Sequence, residues 1–401
     1  MQFDEWTIGR KIASHRARRG LTQEELAGLV GISLSLMKKI ESGDRLVTRF
    51  SQLLLFAQAL RIPDLRELTG VPLPLMPDGR RGHPEANAVR AAFMERSRPA
   101  VEPTTLAALA ADIERTWQAW QSPSPFRYAQ VGQDLPHLLR GTRLLLLTAD
   151  DDERRAALAE ASKLYQLVRS WTKRVGEHEL SLVAADRAVA AAMEADDPDL
   201  AGAASWNLAM ILSARGHTEQ ARAVCREAIA ELRPTMPDAG PARLAVWGGL
   251  HLLAAVEAAR KDDASDARRL LDAADKIADR IGETNHFRMV FGPTNVACHR
   301  VATALELGRT RDALTIAERV SVHNAPAVER RLTFHLDAAR GYARTGNDIA
   351  AVHMLQRIHA ESPEELRFGS GTRETLRLLV GRAKPAILAD LRPMAEAAGL
   401  S

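Results

Sequence analysis

Residues 205–234 read SWNLAMILSARGHTEQARAVCREAIAELRP, and this stretch decides the fold of most of the chain. Apolar residues recur every three or four positions on both sides of Gly216, which is the spacing of amphipathic helices. Small residues at Ala221, Cys225 and Ala228 let the second helix approach the first closely. The stretch therefore predicts a pair of packed helices joined by a glycine turn.

The same pattern of a helix, a turn residue and a second helix recurs four more times along the chain. The turn residues follow one another at intervals of 40, 46, 46 and 38 residues and are Gly176, Gly216, Asp262, Gly308 and Gly346. The small or apolar residues that follow the other four turns are Ser181, Ala185, Ala188, Ala267, Leu271, Ala274, Ala313, Ala317, Ala351 and Leu355. Five copies resemble a tetratricopeptide-repeat array, although their spacing exceeds the ~34 residues of that family. The resemblance predicts an all-α chain whose larger part, residues 104–401, is a tetratricopeptide-like α-solenoid.

The composition supports helices and excludes several other classes of protein. Aromatic residues are 4% of the chain, so Ala, Leu and Val must form the core, which suits packed helices better than a β-sandwich. No apolar run reaches the ~18–20 residues that cross a bilayer, and the N-terminus lacks the apolar core of a signal peptide. We therefore expect a cytoplasmic protein without membrane contact. Cys225 and Cys298 are too few and too far apart for a metal site or a disulfide scaffold, so we expect both to be buried as small apolar residues.

A second motif lies near the start of the chain, where residues 21–45 read LTQEELAGLVGISLSLMKKIESGDR. Thr22 is a favourable N-cap, and Glu25 three residues later completes a capping box for a short helix. Gly31 turns the chain, and Ser33 caps the next helix. Two short helices joined by a tight glycine turn form a helix-turn-helix unit, which flanking amphipathic segments extend to a five-helix domain.

This motif looks like the Cro/phage-repressor (XRE) family of helix-turn-helix proteins, and the resemblance implies sequence-specific binding of double-stranded DNA. It places Leu34, Ser35 and Lys39 at the base-facing positions of the recognition helix, where the apolar Leu34 predicts contact with a thymine methyl group. The other residues that it places near DNA are Gln23 at a phosphate, Ser33 and Lys38 beside the base-facing positions, and Arg45 and Arg49 at the backbone and minor groove. It also implies an ion pair between Arg16 and Glu41.

The charge and the prolines divide the chain into three parts. Residues 1–70 hold eleven Lys or Arg and eight Asp or Glu, so the whole net charge of +3 lies in this DNA-binding domain, where basic residues can neutralise phosphates. Six of the 19 prolines lie between Pro72 and Pro103, and they predict a semi-rigid linker over residues 71–103. The rest, residues 104–401, forms the repeat domain.

In a repeat array the first helix of each pair faces the concave groove, so residues on these helices are candidates to bind an effector. Asn295 and His299, four residues apart on one helical face, supply an amide and an imidazole, and Trp206 supplies apolar area. The same reasoning selects Gln166, Ser170, Asn207, Met210, Thr333, Asp337 and Arg340. Asn295 and His299 could equally cap or cross-link neighbouring helices, and the sequence leaves both roles open.

These observations predict a one-component transcription regulator. Residues 291–308, FGPTNVACHRVATALELG, resemble a segment of actinobacterial regulators that combine the same two parts. We expect a homodimer that binds a palindromic operator and takes a small molecule or peptide as its effector. Trp117, Trp120 and Trp171, near the start of the repeat domain, are expected in the dimer contact. The alternative is a scaffold that is tethered to DNA and binds a partner protein.

Nothing in the sequence predicts an enzyme. It contains no phosphate-binding glycine loop, no HExxH, no GxSxG and no paired cysteines. Ser170 and Lys173 fit a bare S-x-x-K spacing, but that motif needs further partners and here lies within a repeat helix. We therefore expect no catalytic residues, no metal and no cofactor.

Overall fold

The computed structural model describes residues 5–45, 47, 50–60, 62, 68, 82–323, 325–383 and 385–400. This part of the chain contains twenty α-helices and, apart from one isolated bridge, no β-structure, which confirms the predicted all-α class. The chain divides into two compact units, Met1–Arg81 and Gly82–Ser401, which we call the head and the body. No helix in the described ranges combines the length and apolar character needed to traverse a bilayer.

The head is a small helical unit. Its described helices are α1 (Glu5–Arg18), α2 (Gln23–Val30), α3 (Leu34–Ser42) and α4 (Phe50–Ala59). Their apolar side chains form one core, whose members include Ile12, Leu26, Met37, Ile40 and Phe56. The predicted fifth helix, after Pro63, lies outside the described residues except for Leu68, which is buried in this core.

Gly9 sets how closely α1 packs on α3. A Cβ atom on Gly9 would overlap the backbone carbonyl of Ile40, so only glycine permits this crossing. Gly28 on α2 differs, because nothing lies within 4 Å of the position that its Cβ would take. The orientation of α3, the predicted recognition helix, therefore depends on the absence of a side chain on α1.

The body contains the remaining sixteen described helices. They are α5 (Ala86–Met94), α6 (Leu106–Gln121), α7 (Arg127–Thr148), α8 (Asp151–Arg174), α9 (His178–Glu194), α10 (Pro198–Ala214), α11 (Thr218–Leu232), α12 (Pro241–Arg260), α13 (Ala264–Ile281), α14 (Pro293–Glu306), α15 (Thr310–Ala317), α16 (Val328–Arg344), α17 (Asp348–Glu361), α18 (Pro363–Phe368), α19 (Ser370–Gly381) and α20 (Pro385–Ala397). Helices α8 to α17 form five consecutive hairpins, α8–α9 through α16–α17.

Each of these hairpins turns at the residue that the sequence predicts. The backbone φ is positive there, from 60° at Asp262 to 88° at Gly176, in the left-handed conformation that ends many helices. The next N–H then bonds a carbonyl five residues earlier, as His217 does at 2.9 Å. The predicted small residues of the second helices are buried, and Ala221 and Cys225 are fully inaccessible. The α-solenoid prediction is confirmed.

Helix α5 packs within the body, although the sequence predicts a linker over residues 71–103. Val89 and Phe93 of α5 are buried in the core that also contains α7. Arg187 on α9 donates a hydrogen bond to the Phe93 carbonyl at 2.7 Å. The prolines on both sides of α5 led to the linker prediction, because the apolar residues between them span only two turns of helix. We therefore propose that the repeat-containing unit begins near Gly82, where the contacts of the body begin.

The three tryptophans near the start of the body lie in its interior. Trp117, Trp120 and Trp171 are 7%, 1% and 0% exposed. The indole N–H groups of Trp117 and Trp171 donate to the carbonyls of Lys163 and Tyr128 at 3.1 and 2.8 Å. The prediction that these indoles form a dimer contact is therefore wrong, because their apolar area and two of their N–H donors are already used within the body.

Helix α18, which follows the last hairpin, contacts α7 and α8 at the start of the repeat array. Glu365 on α18 pairs with Arg174 on α8 at 2.7 Å and accepts a hydrogen bond from the Tyr128 hydroxyl. The neighbouring Glu364 caps α7, because its carboxylate accepts the backbone N–H of Tyr128 at 2.7 Å, across 236 positions of sequence. We call Tyr128, Arg174, Glu364 and Glu365 the clasp. The clasp closes the repeat array on itself.

Replacing Gly9 by Ala is expected to destabilise the head by about 1–3 kcal/mol, because the added methyl group forces α1 away from α3. Gly28→Ala is the matched control, and it should stabilise the head by about 0.5–1 kcal/mol, because its methyl group meets open space in a helix. Hydrogen–deuterium exchange of the α1 and α3 amides in the full chain measures both effects. Equal protection in the two variants would contradict the proposed role of Gly9.

Candidate functional site

Local hydrogen bonds build the helix-turn-helix as the sequence predicts. Thr22 Oγ1 accepts the backbone N–H of Glu25 at 3.1 Å, and the Glu25 carboxylate accepts the Thr22 N–H at 2.7 Å. Gly31 ends α2 with a φ of 73°, and Ser33 Oγ accepts the N–H of Leu36 at 3.2 Å. The capping box, the glycine turn and the second cap are therefore all confirmed.

The implied ion pair between α1 and α3 is present. Arg16 Nε and Nη2 donate to the two carboxylate oxygens of Glu41 at 2.6 and 3.0 Å. This interaction raises the pKa of Arg16. Gln23 Nε2, at the start of α2, donates to the same carboxylate at 2.7 Å. Glu41 therefore links α1, α2 and α3, and it fixes the orientation of the Gln23 side chain.

One face of α3 is open to solvent. Ser35, Lys38 and Lys39 are exposed, whereas Met37 and Ile40 on the opposite side are buried in the head core. Within the described residues neither lysine has an ion-pair partner. This face therefore presents two uncompensated positive charges and a hydroxyl from a helix of nine residues.

The remaining residues with an implied DNA contact flank this face. Ser33 is the exposed N-cap of α3, and Leu34 is half-buried at its first position. Arg45 is exposed after the end of α3, where its backbone N–H donates to the Lys39 carbonyl at 2.9 Å. Arg49 lies outside the described residues.

The first helices of the hairpins enclose a cavity of about 160 Å³, which we call the central cavity. Seven residues that the sequence selects on these helices line it: Ser170, Trp206, Asn207, Met210, Asn295, His299 and Thr333. Trp117 and Trp120 on α6 contribute two further indoles. Gln166 instead lines a side cavity of about 530 Å³, which shares Trp117, Phe287 and Arg288 with the central one.

Buried hydrogen bonds fix the polar groups of α8 and α10 at these cavities. Asn207 Nδ2 donates to Gln166 Oε1 at 2.8 Å. Arg169, which is 4% exposed, donates through Nε and Nη2 to the Asn207 carbonyl, both at 3.1 Å. The Ser170 hydroxyl donates to the Gln166 carbonyl at 2.9 Å. These side chains therefore link two helices as well as lining cavities.

Asn295 and His299 combine the two roles that the sequence leaves open. Both line the central cavity, and Asn295 Oδ1 also accepts a hydrogen bond from Arg330 on α16 at 2.7 Å. His299 Nδ1 lies 2.9 Å from the Asn295 carbonyl, so Nδ1 carries the proton and Nε2 is left as an acceptor. Burial, with the Arg330 charge, lowers the pKa of His299 to about 3, and the imidazole is neutral at neutral pH.

The sequence pattern does not single out the charged side chains of the central cavity. They are Arg169, Lys173, Arg174, Arg288, Glu329 and Arg330. Arg169 and Lys173 lie on the same face of α8 as Gln166, three and seven residues further along. Extending the predicted face of α8 in this direction therefore identifies them. Arg330 likewise precedes Thr333 by three residues on α16. Arg288 has no such signal, because it lies in a loop.

Asp337 and Arg340 line neither cavity. They lie on the same face of α16 as Thr333, but one and two turns further along the helix and outside the cavity wall. The Arg340 guanidinium packs over Gly371 on α19. Burial raises the pKa of Asp337 to about 6, against the opposing charges of Arg330 and Arg340. The structure therefore does not bring these two residues together with the other selected ones.

A strained loop separates the two cavities. It joins α13 to α14 over residues 284–291, and backbone hydrogen bonds of 2.8 and 3.1 Å between Thr284 and Phe291 close its base. Phe287, Arg288 and Val290 have φ values of 49°, 61° and 51°. Such conformations cost about 1–3 kcal/mol for each non-glycine residue and persist only where the surroundings impose them.

Gln121 at the end of α6 imposes part of this loop conformation. Its Oε1 accepts a hydrogen bond from Asn285 Nδ2 at 2.8 Å, and its Nε2 donates to the Arg288 carbonyl at 3.3 Å. Arg288 also forms an ion pair with Glu114 on α6. The loop is therefore tied to the first helices of the body through one buried amide and one partly exposed ion pair.

Metal-binding chemistry has no counterpart among the described residues. No group of three His, Cys, Asp or Glu side chains in these ranges could hold a metal ion. Cys225 and Cys298 are buried thiols outside any disulfide, as the sequence predicts. Burial raises the pKa of the Cys298 thiol to about 11. Both cysteines therefore act as small apolar residues of the helix interfaces.

Comparison with known proteins identifies the head by its sequence. Residues 7–68 match a family described as a helix-turn-helix domain. No curated protein matches the chain. Among solved structures, that of Bacillus thuringiensis PlcR in complex with the peptide PapR7 and DNA is similar at 12% identity and a TM-score of 0.36, covering 92% of this chain and 98% of that chain.

Replacing Gln121 by Met is expected to raise the amide exchange rates of residues 285–291 about tenfold, because the loop loses three partly buried hydrogen bonds. Gln133→Met on α7 is the control, since Gln133 is exposed and its side chain forms no hydrogen bond within the described residues. Hydrogen–deuterium exchange with peptide-level resolution measures the difference. Unchanged exchange in the Gln121 variant would show that other contacts hold the loop.

Proposed function

We propose that this protein is a DNA-binding transcription regulator that responds to a small effector bound in its body. The observation that carries the proposal is the head, whose sequence matches a helix-turn-helix domain and whose α3 presents exposed cationic and hydroxyl side chains. A helix of this kind enters the major groove with its first turns against the base edges.

In the proposed complex, side chains of α3 contact the bases, and the residues that flank α3 position this helix on the DNA. Ser35 and Lys39 hydrogen-bond to base edges, and Leu34 contacts a thymine methyl group. Ser33 and Lys38 lie beside these contacts. The phosphate and minor-groove contacts belong to Gln23, Arg45 and Arg49. Contacts to phosphate hold the register but carry no sequence information, so the two groups of residues differ in what their loss does.

A second copy of the chain completes the proposed binding unit. A single head of this size buries only about 600–1,000 Å² against DNA, which is little for strong specificity. Two heads related by a twofold axis would read a palindromic operator with half-sites about one helical turn apart. The dimer contact must use a surface other than the buried indoles. Light scattering of the full chain at micromolar concentration tests this, and a monomer bound to DNA would contradict it.

The central cavity is the proposed effector site. Its volume of about 160 Å³ suits a small molecule or the side chain of a peptide. The strained loop occupies the groove on one side of this cavity. This favours an effector over the alternative of a scaffold, since a partner protein needs a longer open groove. The effector acts by preferring one of two conformations of the protein, because a ligand with equal affinity for both shifts nothing.

The DNA-binding proposal is tested by selection of bound sequences from a random pool. Lys39→Ala should change the preferred bases, because each base-edge contact contributes about 1–3 kcal/mol of discrimination. Arg45→Ala should weaken all sequences alike and reduce the slope of log K against log salt by about 0.9. Lys276→Ala, at an exposed position on α13, is the control and should change neither. Recovery of random sequences by the unmodified chain would overturn the proposal.

The effector proposal is tested by separating DNA binding from its regulation. Asn295→Ala and His299→Ala should leave the DNA affinity of the effector-free protein unchanged and abolish its response to an active cell-extract fraction. A purely structural role instead predicts a lower melting temperature with the response retained. Thermal-shift measurements of the single and double variants against fractionated extract distinguish the two. Equal stabilisation of variant and unmodified protein by the active fraction would contradict the site.

A further inference from the structure

The central cavity holds more positive charge than its own acidic groups offset. Arg169 donates only to the Asn207 carbonyl and the Ser170 hydroxyl, the latter at 3.3 Å. Lys173 has no hydrogen-bond or ion-pair partner among the described residues. Arg330 contacts Asn295 and His299, and its buried Nε has no acceptor within the described part of the chain. Three basic side chains thus line one cavity, and within the described residues none of them forms an ion pair with a carboxylate.

The other charges of the cavity wall do not change this balance. Arg174 and Arg288 are paired with Glu365 and Glu114. Among the described lining residues Glu329 is the carboxylate, and its Oε1 lies 3.6 Å from Nη1 of Arg127. Burial raises the pKa of Glu329. Among the described lining residues, basic side chains therefore outnumber acidic ones.

A buried cation without a counter-ion is costly, so its presence needs a reason. Burial lowers the pKa of Arg169 to about 9 and lowers the pKa of Lys173 well below its usual range. Side chains that lose hydration in this way, in a cavity and near like charges, are characteristic of binding sites. An anion in the cavity would restore the lost hydration with charge-assisted hydrogen bonds.

We propose that the central cavity binds the carboxylate or phosphate group of a small anionic effector, which Lys173, Arg169 and Arg330 hold while Trp206 packs against its apolar part. The inference rests on the proposed effector site and adds the chemical class of the ligand. The cavity of about 160 Å³ is close to the ~150 Å³ that admits one benzene ring, so a single-ring anion fills it.

The test measures direct binding of defined probes to the full chain in the absence of DNA. The probes are benzoate, phenyl phosphate and the neutral benzamide, each titrated by calorimetry. Benzoate or phenyl phosphate should bind and benzamide should not, and the tighter of the two anions assigns the group as carboxylate or phosphate. Lys173→Met should weaken the bound anion about tenfold or more, because one charge-assisted hydrogen bond is lost.

Three further variants keep the result interpretable. Lys163→Met is the matched control, because Lys163 lies on the same helix, lines the side cavity and pairs with Glu160 at 2.6 Å. It should leave anion binding unchanged, and Lys173→Arg should retain it. Without ligand, Lys173→Met should raise the melting temperature, since an unpaired charge on a half-buried side chain is removed. If Lys173→Met fails to fold, the same titrations are made with Arg330→Met, for which the same weakening is expected.

Three results would overturn the proposal. They are binding of benzamide as tight as that of the anions, equal weakening by Lys163→Met and Lys173→Met, and no binding of either anion. None of these results bears on DNA binding, which the sequence selection tests separately. Failure of the anion site and failure of the regulator proposal are therefore distinguishable.

Discussion

The Glu365 carboxylate links α18, after the last hairpin, to α7 and α8 at the start of the repeat array. Its side chain is 3% exposed, and it pairs with Arg174 and accepts the Tyr128 hydroxyl, which lie 191 and 237 positions earlier in the chain. Repeat arrays ordinarily contact only neighbouring repeats, so their curvature is free to vary. Here the ion pair between the buried Glu365 and the partly buried Arg174 ties the end of the array to its start, which constrains that curvature. The walls of the central cavity depend on this closure.

A loop between the hairpins lines both cavities. It spans residues 284–291, and Gln121 holds it in a strained conformation. A ligand in the central cavity would touch α8, α10, α14 and α16 together with this loop. Strain of this kind gives a bound molecule a local conformational preference to act on, because relaxing the loop releases energy that the free protein has stored.

The short helices of the head form a core of their own, and local caps begin and end α2 and α3. Glu41 connects α3 to α1 through Arg16 and to α2 through Gln23. Gly9 allows the helix axes to approach closely enough for these contacts. The exposed face of α3 is therefore presented by a rigid frame, as recognition of base edges requires.

Sequence alone determined the helices, the five turn residues, the head's capping box and the Arg16–Glu41 pair, because each depends on spacing within a few turns or on a recognisable motif. Tertiary structure alone decided that Trp117 and Trp171 are interior, that α5 packs on the body, and that Lys173 and Arg330 face one cavity. Those outcomes depend on which distant helices meet, and helical periodicity reports only that a residue lies on a buried face. The closure through Glu365 sets the partner across that face, and no local pattern records a contact over 191 positions.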